Sequence, residues 1–393
     1  MIYALLLLFA GSVVVATFVL SYLLPRQVHI WAPSYWRRDW RPTEPVAKKP
    51  IHLFVCLADH FEPAWLTPGA EIETRRVDAW VTGYRALAAR HRDADGRAPQ
   101  HTFFYPIEEY RPQHLHKLAA LCRDGLGDVE VHLHHDGDTA DELREQLLSF
   151  ARTLHERHGL LRENRETGQV EYGFIHGNWA LDNSRRDGRW CGVDNELTVL
   201  RETGCYADFT LPSAPDETQT RKINSIYYAS DDPERPKSHD EGVDVRVGRS
   251  PSGDLMLIQG PLMLNWRRRK WGVLPRIENG ELSADNPPSA DRIDLWVKCH
   301  VHVKGRPEWV FIKLHTHGAQ ERNFEILFGD TRHAMLDYLE QQYNDGERYR
   351  LHYVTAREMY ELAKLAEEGS DVDPGTFLGE RRDVHAPVGS ARP

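Results

Sequence analysis

Residues 51–58, IHLFVCLA, decide the fold. The run is apolar, β-branched in part and bounded by Pro50 and Asp59, which is the pattern of a buried strand. Downstream, from Glu71 to His91, Ile72, Val77, Trp80, Val81, Tyr84, Leu87 and Ala88 recur at spacings of mostly three and four, one face of an amphipathic helix. Strand and helix then alternate. HTFFYP from 101 reads as a strand, HLHKLAALC from 114 as a helix, VEVHLH from 129 as a strand, Ala140 to Arg157 as a helix and YGFIHG from 172 as a strand. Later strands are expected at CYADFTL, INSIYYA, DLMLIQG, EWVFIKLHTH and YRLHYV, with helices over 289–298, 332–344 and 355–367. This order predicts an α/β architecture with a parallel sheet or barrel. Between about Pro212 and Pro288 the Pro, Gly, Ser, Asp and Arg content rises, so a loop-rich insertion is expected there. The polar tail, 369–393, is expected to be disordered.

Upstream of the first strand, nothing from Met1 to Pro25 is charged, and residues 3–24 read YALLLLFAGSVVVATFVLSYLL. At 1.5 Å per residue that run is long enough for a hydrocarbon core of about 30 Å, so residues 1–25 are expected to form a single-pass anchor in the lipid bilayer. Arg26, Arg37, Arg38, Arg41, Lys48 and Lys49 follow the span and no Lys or Arg precedes it. That asymmetry predicts a body on the cytoplasmic side. Trp31, Tyr35, Trp36 and Trp40, in a basic and aromatic linker over 26–50, are expected at the headgroup level. With 49 Lys plus Arg against 59 Asp plus Glu, the net charge is −10 and no basic block is present, which argues against nucleic acid as a partner. Five cysteines without a CxxC pair indicate neither a disulfide framework nor a cysteine zinc site.

In a parallel α/β fold, functional groups gather past the carboxyl ends of the strands. Four strand ends here carry them: Asp59, His60 and Glu62; His132, His134, His135, Asp136 and Asp138; His176, Asn178, Trp179 and Asp182; His315 and His317. Side chains alternate along a strand, so His132 and His134 share one face while His135 points to the other. Imidazoles with carboxylates from separate strands make a set suited to zinc or a similar divalent ion. Asp59 is a candidate ligand or base, and one of His315 and His317 a candidate acid or base. Glu62, followed by Pro63, serves a helix N-terminus equally well.

Taken in order, these motifs resemble the polysaccharide deacetylase family, also called the NodB-homology or carbohydrate esterase 4 superfamily, over roughly Ile51 to Ala366. LADHFEP resembles the strand ending TFDDG, and HLHHDGD offers His134 and Asp138 at the spacing of HxxxH. GFIHGNW stands at the RxPYG segment, IKLHTHG resembles the late LxH motif, and VTAREMYELAK the closing helix. The resemblance implies a distorted (β/α) barrel of seven strands over 51–368 and a metal-dependent removal of acetyl groups from a polysaccharide or other glycan, in surface or exopolysaccharide biosynthesis. It implies a divalent metal, expected to be Zn2+, on Asp59, His60, His134 and Asp138. Asp59 would be the base if it is not a ligand, and His315 or His317 would protonate the leaving group. His176, Asn178 and Trp179 would meet the sugar, with His132 and His135 supporting the ligands. The first motif keeps only one aspartate, the second histidine of HxxxH is Asp138, and the arginine of the third motif is absent. Those departures leave a catalytically degenerate domain that binds a glycan or an assembly partner as the alternative. A glycosidase using Asp59 with Glu62 or Asp182 is a third reading.

Overall fold

The computed structural model describes residues 3, 9, 17, 20–38, 49–66 and 68–385. Strand β1 (Ile51–His60) is buried along its whole length because both of its faces are covered. Leu53, Val55 and Leu57 enter a core with Val77, Trp80, Tyr84 and Leu87 of helix α2 (Ala70–Ala88), whereas Phe54, Cys56 and Ala58 face a second core. A strand buried on both faces needs no polar alternation, which is why this segment reads as one apolar run. Each fully buried Leu, Val or Phe here is worth about 1.5–3 kcal/mol of transfer free energy.

The strands that follow are β2 (His101–Pro106), β3 (Gly127–Leu133), β4 (Val170–His176), β5 (Cys205–Asp208), β6 (Ile226–Ala229), β7 (Leu255–Ile258), β8 (Trp309–Thr316) and β9 (Tyr349–Tyr353). From β8 the sheet runs β8, β1, β2, β3, β4, β5, β7, β6, parallel up to β7 and antiparallel between β7 and β6. β9 pairs with the first half of β1, and the short strand Glu281–Leu282 extends the edge beyond β8. Past β7 the chain returns towards β8: a Cβ added to Gly260 would lie 2.4 Å from the Lys313 carbonyl oxygen. Only glycine permits that approach.

Helices α3 (Pro112–Arg123), α4 (Ala140–His158), α5 (Glu196–Glu202), α6 (Ala290–Cys299), α7 (Asp330–Gln342) and α8 (Ala356–Glu368) fill the connections. α4 and α8 each open on a capping box, Thr139 with Glu142 and Thr355 with Glu358, and each ends on a left-handed glycine, Gly159 and Gly369. Such a cap is worth about 1 kcal/mol.

Two expectations are corrected. Among the described residues no helix is long and apolar enough to cross a membrane, so the spanning helix over 3–24 and the single-pass membrane placement on the cytoplasmic side are not supported. Most of residues 1–19, and all of 39–48 with Trp40, lie outside the described residues. Trp31 and Tyr35, expected at a headgroup layer, are buried in the second core on helix α1 (Val28–Arg37), while Trp36 is exposed. An aromatic cluster beside basic residues has the same composition whether it covers a protein core or lies in an interface.

The seven-stranded count is also corrected. Among the described residues the sheet has twelve strands and is mixed: the strands expected at INSIYYA and DLMLIQG are β6 and β7, and the loop-rich stretch adds Val243–Asp244 to the sheet besides a separate hairpin of Met263–Lys270 and Leu274–Glu278. A strand of two residues, as at Val243–Asp244, is too short for periodicity to register. Within the tail, Pro374–His385 form a helix, and 386–393 lie outside the described residues.

Candidate metal centre at the sheet mouth

Alternation along β1 sends His60 to the same side as Ala58 and Asp59 to the opposite one. His60 is buried, stacks on His317 with ring centroids 4.7 Å apart, and meets His132 edge-on at 4.8 Å. His132 and His134 share their face as alternation requires, with centroids 4.7 Å apart. Glu62, two residues beyond the strand and buried, enters this group: its Oε1 lies 3.2 Å from Nε2 of His132 and 3.3 Å from Nε2 of His134. His60, Glu62 and His132 place ligand atoms within 4.8 Å of one another.

The loop holding Glu62 is fixed from α2, where Nη1 of Arg76 donates to the carbonyls of Pro63 and Trp65. His317 is fixed through Gly318, whose N–H donates to Oδ1 of Asp59 at 2.5 Å and whose carbonyl accepts from Nε1 of Trp80 at 2.7 Å. Trp179, with φ of +57°, closes the group: its Nε1 donates to Nε2 of His60 at 3.4 Å and its ring lies edge-on to His315 and His317.

The donor set asks for a positive charge. Nδ1 of His132 donates to the Ile175 carbonyl at 3.0 Å, so its Nε2 is a lone pair turned on a carboxylate oxygen. Nδ1 of His134 is engaged by Glu108 at 2.5 Å, which turns the Nε2 of a neutral His134 on the same oxygen. Acceptors crowded together in a buried place repel unless a proton or a metal ion lies among them. Burial weighs against a charged His134, yet the bonds to Glu108 and Glu62 outweigh it and raise its pKa to about 10. For Glu62 burial favours the neutral form, and the influence of the neighbouring His132 and His134 overcomes it, so its pKa is lowered. Burial first and neighbouring positive groups second hold His60 and His315 well below the usual histidine range, neutral and able to ligate. Nδ1 of His60 is buried without a partner. A buried histidine set with one carboxylate fits zinc or a similar ion.

The structure divides the expected site residues into two groups. His60, His132, His134, Trp179, His315 and His317 meet at the mouth; His135 and His176 lie in a neighbouring buried pocket with ring centroids 4.7 Å apart. Asp138 is 3.6 Å from His135 and accepts from Gln146, and the Asn178 N–H reaches Nδ1 of His176. Asp59 belongs to neither group, bonding His101 at 2.8 Å and Gly318.

Glu108 and Glu109 went unread in the sequence, although they follow β2 directly and the strand-end rule applies to them. Burial chiefly, with the charge of Glu62 adding to it, raises Glu109 to about 7 against the bond from the Ala64 N–H. A carboxyl with that pKa is suited to proton transfer near neutrality.

A close glycine makes the mouth sensitive to one methyl group. A Cβ at Gly177 would lie 2.4 Å from the His134 ring. Gly177→Ala is expected to displace that ring and lower activity by about 10–100-fold, since a shift of about 1 Å costs up to that much. Steady-state kinetics beside an unchanged melting curve checks it.

These elements define a mixed α/β protein with a buried histidine and glutamate centre at the carboxyl ends of its parallel strands. No family model matches the chain, and no curated protein matches it. Among solved structures it is similar to a protein from Mycobacterium smegmatis provisionally named a polysaccharide deacetylase, at 12% identity over 85% of this chain and 98% of that one, with a TM-score of 0.44. It is also similar to a 4-alpha-glucanotransferase from Thermococcus litoralis, at 11% identity over 79% of this chain and 38% of that one, with a TM-score of 0.36. Likenesses of that size decide neither the fold nor the activity of this chain.

Proposed function

We propose that this chain is a metal-dependent deacetylase acting on an acetylated glycan. One observation carries the reading: Glu62 Oε1 faces the Nε2 atoms of two histidines, one of them with its tautomer set by the Ile175 carbonyl. His60, Glu62 and His132 would hold the ion, with His134 and His317 beside them. Bound there, a divalent ion supplies a Lewis acid for the acetyl carbonyl and an acidified water. Glu108 orients His134 in the manner of the carboxylates that fix metal-ligating histidines. Glu109 is placed to exchange a proton, and His317, half-buried at the mouth, to donate one to the leaving group. The half-buried Trp179 offers an aromatic edge to a pyranose ring.

A second reading, glycan binding without turnover, is favoured by the position of Asp59. The carboxylate expected as base is bonded to His101 and Gly318 on the far face of β1. One assay separates the two. The purified full chain, stripped with chelator and reloaded with zinc, is incubated with acetylated oligosaccharides; acetate released only by the reloaded protein supports the deacetylase. Binding with no acetate supports the second reading, and cleavage of glycosidic bonds contradicts both.

A further inference from the structure

The mouth does not account for the pocket behind it. His135 just past β3, His176 at the end of β4, Cys191 in the following loop and Glu196 at the start of α5 are each no more than 6% exposed, and one ligand atom from each lies within 4.8 Å of the others. Glu196 Oε1 is 3.3 Å from His135 Nε2 and 4.0 Å from His176 Nε2, and Glu196 Oε2 is 3.3 Å from Cys191 Sγ. Bonds of about 2.0–2.3 Å at tetrahedral angles put neighbouring ligand atoms about 3.3–3.8 Å apart. Nε2 of His176 is fully buried and has no hydrogen-bond partner. The carboxylate of Asp138 lies 3.6 Å from Nδ1 of His135, where a carboxylate orients a metal-bound imidazole.

We propose that His135, His176, Cys191 and Glu196 form a second, closed metal site that takes zinc. Thiolate and imidazole together select zinc over calcium or magnesium, and four protein ligands without solvent mark a structural site. Ligation through Nε2 of His176 moves that ring's proton to Nδ1 and releases the 3.3 Å contact from the Asn178 N–H. The ion ties the ends of β3 and β4 to α5 across a loop in which Trp179, Asp182, Asn183 and Trp190 all hold positive φ. Such residues persist only where their surroundings over-determine them. The site thereby fixes Trp179 over the neighbouring mouth, yet it does not depend on what the mouth catalyses.

Sulfur separates the two centres, because the mouth group contains no cysteine. Full-chain protein saturated with zinc is expected to bind about two equivalents and to give zinc-edge X-ray absorption with a sulfur neighbour at about 2.3 Å. Cobalt-loaded protein is expected to have a near-ultraviolet thiolate charge-transfer band that is lost in Cys191→Ser and kept in Glu62→Gln. Zinc-saturated wild-type protein without sulfur scattering overturns the site, whether or not Cys191→Ser folds. A thiolate band surviving in Cys191→Ser overturns it as well. Loss of one equivalent in Glu62→Gln with the band intact supports it and tests the mouth separately.

Discussion

Glu62→Gln is expected to lower zinc affinity at the mouth, and with it acetate release, by at least about 100-fold. Changes to groups that only orient metal ligands already cost about 10–100-fold, and Glu62 stands among the candidate ligands themselves. Among the described residues it is the carboxylate grouped with the buried imidazoles of His60 and His132. Glutamine keeps the volume and removes the charge, so the neighbouring lone pairs lose the ion that joins them. Metal content by mass spectrometry and acetate release measured on the same preparation check both halves. Full zinc occupancy at the mouth in this variant would mean that Glu62 is not a ligand.

Arg292→Ala is expected to destabilise the protein by about 3–5 kcal/mol, because removing one partner leaves a buried charge uncompensated. Arg292 on α6 is fully buried and grips Glu278 with two bonds, Nε to Oε2 at 2.7 Å and Nη2 to Oε1 at 2.8 Å. Trp296 Nε1 donates to the same carboxylate at 2.9 Å, and Arg292 also reaches the carbonyls of Asn286, Pro287 and Glu281. The pair thus locks the hairpin and the short strand 281–282 onto the edge at β8. Urea unfolding of the variant gives the loss. The double variant Arg292→Met, Glu278→Leu is expected to recover much of it, since a buried ion pair often exchanges for apolar groups at little cost. A single variant as stable as wild type would mean that Glu278 is protonated or reaches solvent.

Much of the layout was legible because two periodicities recur without interruption. The apolar run of β1, the spacing of three and four in α2 and the strand at VEVHLH all follow from side-chain direction, and so does the parting of His132 and His134 from His135. Motif likeness worked less well at the end of β1. It put Asp59 and His60 on one ion, whereas neighbours on a strand face opposite sides and only His60 turns to the mouth. Glu62 reads equally as a helix N-terminal residue until the loop pinned by Arg76 is seen to turn it inward. The joining of Cys191 with His135, His176 and Glu196 has no sequence signal, since ligands on four separate segments obey no spacing rule.

Anomalous diffraction at the zinc edge from crystals of the full chain tests the central claim most directly. A peak bonded to His60, Glu62 and His132 at about 2.0–2.2 Å is the result that a metal centre at the mouth predicts. A zinc-saturated crystal with no peak among those three side chains would contradict it.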